Sequence, residues 1–142
     1  MYYVNREAIE KRLAAIPQLA DTLAALSGAW QGTMLEGLAQ ERALHLAIEI
    51  VTDVGSALID GFLMRDASSY EDIIDIIAGE DVIPPALAEP LRRLVSLRKP
   101  LVQEYFEWPR GELHPLSPEL PALLRDFAER VRNYLRRELG DA

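Results

Sequence analysis

The stretch MLEGLAQERALHLAIEIVTDVGSALIDGFL, residues 34–63, decides the fold class. Leu35, Leu38, Leu44, Ile48 and Val51 supply the apolar stripe of an α-helix that starts near Met34 and reaches about Leu63. The most apolar part, Ala43 to Leu63, is interrupted by His45, Glu49, Asp53 and Asp60. Each acidic group in lipid would cost about 2.5–3.5 kcal/mol or more, so the segment reads as a buried helix and not as a membrane span.

The same periodicity extends outward in both directions. Ile9, Leu13, Ile16, Ala20 and Leu23 alternate with Glu7, Glu10, Lys11, Gln18 and Asp21, giving a first amphipathic helix that Pro17 should bend and Ser27-Gly28 should close. After the long helix, Ser68 with Glu71 and Ser69 with Asp72 form overlapping capping-box patterns ahead of Ile73, Ile74, Ile76 and Ile77, a short helix ending at Gly79. Pro85 suits the first position of a further helix that carries Leu91, Leu94, Val95, Leu97, Leu101, Val102 and Tyr105, with Pro90 and Pro100 expected to delay or kink it. Trp108 to Pro121 holds four prolines and Gly111 and reads as a loop, with Ser117-Pro118 as the cap and first turn of a last helix striped by Leu123, Phe127, Val131 and Leu135. No strand pattern, repeat or low-complexity tract interrupts this order. The expected fold is all-α, an up-and-down bundle of four to five helices in a single domain spanning residues 1–142.

Composition narrows the function classes. With 49% hydrophobic and 27% charged residues the chain can bury a core, and with no cysteine it has no disulfide, thiolate zinc site or cysteine nucleophile. The first twelve residues lack the apolar run of an export signal, so a cytoplasmic location with no membrane association is expected. A net charge of −8 opposes general coating of nucleic acid. Local basic clusters remain at Arg92, Arg93, Arg98 and Lys99 and at Arg130, Arg132, Arg136 and Arg137, either as solvated helix faces or as a local patch for a phosphate.

Glu41, His45, Glu49 and Asp53 follow one another at intervals of four and share a slowly drifting face of the long helix. Three readings stand side by side: a water-facing edge salt-bridged to Arg42 or a neighbouring helix; a metal site built from Glu41, His45 and Glu49; or a polar patch in which Glu49 or Asp53 meets Arg98. The Glu-to-His spacing differs from the Glu-x-x-His of di-iron bundles, and no second such pair occurs. Only His45 and His114 could carry histidine acid–base chemistry, and His114 falls in the proline-rich loop, where exposure is expected. No nucleophile elbow, phosphate-cradling glycine loop or dinucleotide fingerprint occurs.

The stretch Leu97-Arg98-Lys99-Pro100-Leu101-Val102-Gln103-Glu104-Tyr105-Phe106 resembles the signature of the HepT-like family of the HEPN superfamily, an Arg followed after four residues by a His and, one residue further, by a Tyr. Arg98 and Tyr105 stand at two of these positions, Gln103 at the His position, and Lys99 where that family often has Asn. Helix order agrees, and Met1-Tyr-Tyr-Val-Asn5, Asp60-Gly-Phe-Leu-Met-Arg-Asp66 and Ser69-Tyr-Glu-Asp72 look closest to the YutE-like branch.

The resemblance implies a homodimer whose motif helices meet, a cleft where RNA is cut without a metal or other cofactor, and a Tyr105 that a partner nucleotidyltransferase antitoxin can adenylylate. In such a cleft an arginine holds the scissile phosphate while a histidine moves the 2′-hydroxyl proton. Gln103 can hydrogen-bond but cannot titrate near neutral pH, and loss of acid–base catalysis typically costs a factor of about 10²–10⁴. The expectation is therefore weak or absent ribonuclease activity, with Arg98, Gln103 and Tyr105 kept as a polar or RNA-contact cluster supported by Glu49, Asp53 and Lys99. The competing expectations are an active nuclease in which His45 or His114 replaces the missing histidine, and a purely structural Arg98 that neutralises Glu49 or Asp53 inside the bundle.

Overall fold

Thr33 starts the long helix. Its hydroxyl accepts a hydrogen bond from Glu36 N at 3.1 Å, while the Glu36 carboxylate accepts from Thr33 N and Gln31 N at 3.0 Å, a reciprocal capping box that holds the carboxyl below its ordinary range. From this cap α3 runs Met34–Gly61, 28 residues, and its buried stripe includes Leu44, Ile48, Val51, Val54 and Leu58. The helix is the axis of the computed structural model, which describes residues 2–141. Among the described residues there is no strand, and no helix is long and apolar enough to cross a membrane.

Around α3 lie α1 (Arg6–Leu13), α2 (Ile16–Gly28), α4 (Tyr70–Gly79), α5 (Pro85–Val95), α6 (Arg98–Val102), a 3-10 turn (Tyr105–Glu107) and α7 (Leu120–Leu139). The expected bundle of up to five helices is present as five limbs, two of them broken. The first limb is split into α1 and α2 at Ala14-Ala15, because Pro17, in the first turn of α2, has no N–H to offer the carbonyl of Leu13. Pro100 divides the fourth limb in the same way: it cannot donate to the Ser96 carbonyl, and α5 gives way to α6 across Ser96-Leu97. The helix runs through Pro90 without a break.

The walls meet on α3, which packs against α1, α2, α4, α5 and α6, while α7 closes the bundle against α2 and α5. Their buried apolar side chains form one cluster containing Ile9, Leu23, Ile74, Leu91 and Phe127. Gly55 lets α4 approach, since a Cβ there would run into the Ile73 side chain. Ser69 caps α4 by accepting from Asp72 N at 3.0 Å, and Asp72 is also gripped by Arg65 at 2.7 and 2.8 Å.

Ser117 does not cap the last helix. It is fully buried, and its hydroxyl donates to Gln40 Oε1 at 2.7 Å. Gln40 Oε1 also accepts from His114 N at 2.8 Å, and Gln40 Nε2 donates to Glu112 O at 3.0 Å. One buried glutamine on α3 thus fastens the proline-rich loop, and α7 starts at Leu120 with no side-chain cap.

Candidate functional site

Breaking the fourth limb at Ser96-Leu97 sets the direction of Arg98. Leu97 N bonds to Leu94 O at 3.0 Å in a tightened turn, Leu101 N returns to Leu97 O at 2.9 Å, and α6 packs on α3 with Arg98 as its first residue. The Arg98 guanidinium lies over the Tyr70 ring, 4.4 Å from its centroid, and Arg98 Nε is 3.9 Å from Glu49 Oε1. That separation is too long for a hydrogen bond. Among the described residues no N–H of Arg98 donates to any acceptor, and its Nε is buried without a partner.

The neighbouring arginines are engaged. Arg92 is bonded to Asp75 and Arg93 to Glu89 at 3.1 Å, while Lys99, exposed and 3.9 Å from Glu104, is only loosely paired. In the second basic cluster Arg130 pairs with Asp126, Arg132 with Glu10, Arg136 with Asn133, and Arg137 reaches Asp81 O. Most of the basic clusters are therefore helix faces with satisfied partners, and Arg98 stands apart as a half-buried cation whose donors are unspent.

Gln103 caps α6 at its C-terminal end, its N–H donating to Lys99 O at 2.9 Å, and its exposed side-chain amide makes no hydrogen bond among the described residues. Tyr70, Glu71, Arg98, Lys99 and Gln103, with Val95 and Ser96, line a hollow of about 200 Å³. Tyr105 departs from the expectation. The helix stops at Val102, so Tyr105 sits in the following 3-10 turn, outside the lining of the hollow, 58% exposed and edge-on to the 72% exposed Phe106.

The acidic row of α3 is divided among several partners. Glu41 is held at both oxygens by Arg110, whose pKa is raised by that hydrogen bond. Asp53 faces Arg12 of α1 at 3.3 Å and not Arg98. Only Glu49 reaches the motif, its Oε1 lying between Arg98 and His45 Nε2, which is 3.4 Å away. Among the described residues no three His, Asp or Glu side chains come together as a metal site. Glu41, His45 and Glu49 do not assemble one because Arg110 takes the first of them.

Both histidines are occupied. Arg42 can only donate, so at 3.3 Å it faces the acceptor form of His45 Nδ1 and leaves the proton on Nε2, toward Glu49. His114 is half-buried, contrary to the exposed loop position expected of it: it stacks on Trp108 at 5.8 Å, and its Nδ1 accepts from Leu116 N at 3.0 Å. Burial, and secondarily Arg93, lowers its pKa. Sequence reasoning missed Tyr70 as the ring beneath Arg98, Arg110 as the partner of Glu41, and Gln40 as the anchor of the loop. The capping pattern around Ser69 was the only local signal near any of them.

The all-helical bundle with its broken fourth limb has the HEPN-like fold of its structural neighbours. The sequence matches the family described as Ribonuclease HepT-like over residues 9–117, and the chain belongs to that family, which is related to the ribonucleases of toxin–antitoxin systems. It is 43% identical over 141 residues to the Bacillus subtilis (strain 168) protein named "Putative RNase YutE", covering 99% of this chain and 96% of that protein. A solved structure of YutE from Bacillus subtilis, described as a cytosolic protein of unknown function, matches with a TM-score of 0.89 at 39% identity over 100% of this chain and 98% of that one. Two toxin–antitoxin crystal structures share the fold at low identity. One, with AMP-PNP, has a TM-score of 0.74 at 15% identity over 87% of this chain and 97% of that one. The other, of an MntA–HpeT mutant, has a TM-score of 0.73 at 14% identity over 89% and 98%.

Proposed function

We propose that this HepT-like protein acts in the cytoplasm as an RNA-contact or regulatory protein whose ribonuclease activity is weak or lost. The observation that carries the reading is Arg98: a guanidinium propped on a tyrosine ring, with its N–H donors unspent, is prepared to grip a phosphate. Gln103 and Lys99 border the same hollow and supply further hydrogen bonds and charge. What is missing is a group to move the proton. Gln103 does not titrate, and the two ring nitrogens of His45 face Arg42 and Glu49, leaving no lone pair directed at a substrate on Arg98.

The exposed side chains of Val102 and Phe106 beside the motif support a homodimer in which two copies cover this apolar surface and bring their hollows together. Tyr105, 58% exposed, is accessible to a nucleotidyltransferase partner, and the toxin–antitoxin structures that share the fold favour such an assembly. The test pairs two assays on purified protein: binding of single-stranded RNA by fluorescence anisotropy, and cleavage of the same RNA on gels. Wild type should bind without rapid cleavage and Arg98→Ala should lose binding. Robust cleavage by wild type that disappears in Arg98→Ala would sink the weakened-nuclease reading.

A further inference from the structure

We infer that the hollow beside Arg98 is a base-reading subsite for one unpaired guanine in RNA, an inference that rests on the phosphate-contact role of Arg98. The hollow is unusual in the polar groups left open around it. Glu71 forms no hydrogen bond or ion pair among the described residues, although the adjacent Asp72 is saturated by Arg65, Ser68 N and Ser68 Oγ. The Gln103 amide is equally unspent, so a free carboxylate, a free amide and a free guanidinium border one depression.

Size and shape fit a single heterocycle. A volume of about 200 Å³ equals that of roughly six or seven waters, room for one planar base. Tyr70, 43% exposed, and the guanidinium that lies over its ring offer flat surfaces of the kind on which splayed-out bases rest.

The carboxylate chooses the base. Guanine presents two adjacent donors on its Watson–Crick edge, N1–H and the N2 amino group, which match the two oxygens of one carboxylate. Its O6 can accept from an amide N–H such as that of Gln103 or from the Lys99 ammonium. Adenine and cytosine offer a single amino donor beside a ring acceptor, and uracil offers one N–H between two carbonyls. Each of these would set an acceptor against a Glu71 oxygen. Because the Watson–Crick edge is used, the nucleotide must come from a single strand, a loop or an end.

The experiment uses the full-length protein and four labelled hexanucleotides, uridine runs with G, A, C or U at one central position, titrated by fluorescence anisotropy. The guanine oligomer should bind about tenfold more tightly than the others, the discrimination expected of one good bidentate contact. Glu71→Gln, which keeps the side-chain volume, should bring the guanine oligomer down to the level of the uridine one. Equal affinities for all four oligomers in wild type would overturn the base-reading subsite while leaving the Arg98 contact standing, whereas no binding of any oligomer would overturn the phosphate-contact reading itself. Unlabelled GMP is the second arm: displacement of the guanine oligomer by GMP at the concentration needed for unlabelled oligomer would identify a free nucleotide as ligand and overturn the strand reading.

Discussion

Arg98→Ala separates a side chain that holds the bundle together from one that waits for an anion. The Arg98 side chain is 29% exposed and that of Glu49 41%, with 3.9 Å between Nε and Oε1, so the pair is a loose, partly solvated one contributing about 0–1 kcal/mol. The contact over Tyr70 at 4.4 Å adds about 0.5–1 kcal/mol, and the aliphatic stem contributes some packing. The whole loss is therefore about 1–2 kcal/mol. For a chain of 142 residues, unfolding entropy near 60 °C is about 0.3 kcal/mol/K, which converts this loss into a fall in Tm of about 3–7 °C. Breaking a buried ion pair would instead cost about 3–5 kcal/mol, or about 10–17 °C on the same scale. Calorimetric or circular-dichroism melts measure the shift, and RNA anisotropy at a temperature well below both transitions measures the function. A Tm drop beyond about 10 °C, or unchanged RNA binding in a variant that melts within a few degrees of wild type, would refute the reasoning.

Gln103→His returns a titratable group to the rim of the hollow and should raise RNA cleavage by a factor of up to about 10²–10⁴, read on gels against wild type. Gln40→Leu strands the buried hydroxyl of Ser117 and the half-buried N–H of His114, while the carbonyl of the exposed Glu112 can turn to water; at about 1–3 kcal/mol for each stranded group, denaturant titration should show a loss of about 2 kcal/mol or more. Gly37→Ala drives a Cβ into the backbone carbonyl of Arg110, so it should lower Tm and loosen the Arg110–Glu41 contact, seen as faster amide exchange in the loop. His114 is held below the ordinary histidine value near 6.5, chiefly by burial, so the folded state binds fewer protons than the unfolded chain as pH falls through that value. Stability should be full above about pH 6.5 and decline toward the folded pKa, and His114→Gln should flatten the Tm slope between about pH 7 and 5.

The long helix and the order of the limbs were legible because they depend on local periodicity, which Leu44, Ile48 and Val51 display without help from the rest of the chain, although Leu35 and Leu38, read as part of the same stripe, are 80% and 50% exposed near the start of the helix. Pro17 and Pro100 announced two interruptions, and the structure converts each into a full break. The second has the larger consequence: with α6 only five residues long, Arg98 and Gln103 stay at the hollow while Tyr105 leaves it. A motif of fixed spacing carries no record of where its helix ends. The partners of the acidic row were equally hidden, because Arg12, Arg110 and Tyr70 arrive from distant segments.

Those pairings also resolve the apparent conflict between a net charge of −8 and a site for a polyanion. Field at a contact is set by the nearest unscreened charges, since separated surface charges are largely screened beyond about 8–10 Å in ordinary salt. Most of the arginines of this chain sit against a carboxylate and present little net charge, whereas the Arg98 guanidinium lies 3.9 Å from Glu49, which also faces His45, too far for strong neutralisation. Binding through one such cation should show a shallow salt dependence. A single phosphate contact gives a slope of log K against log[salt] of about −0.7 for a single strand, while a slope several times steeper would mean that additional cations have left their carboxylates to join the contact.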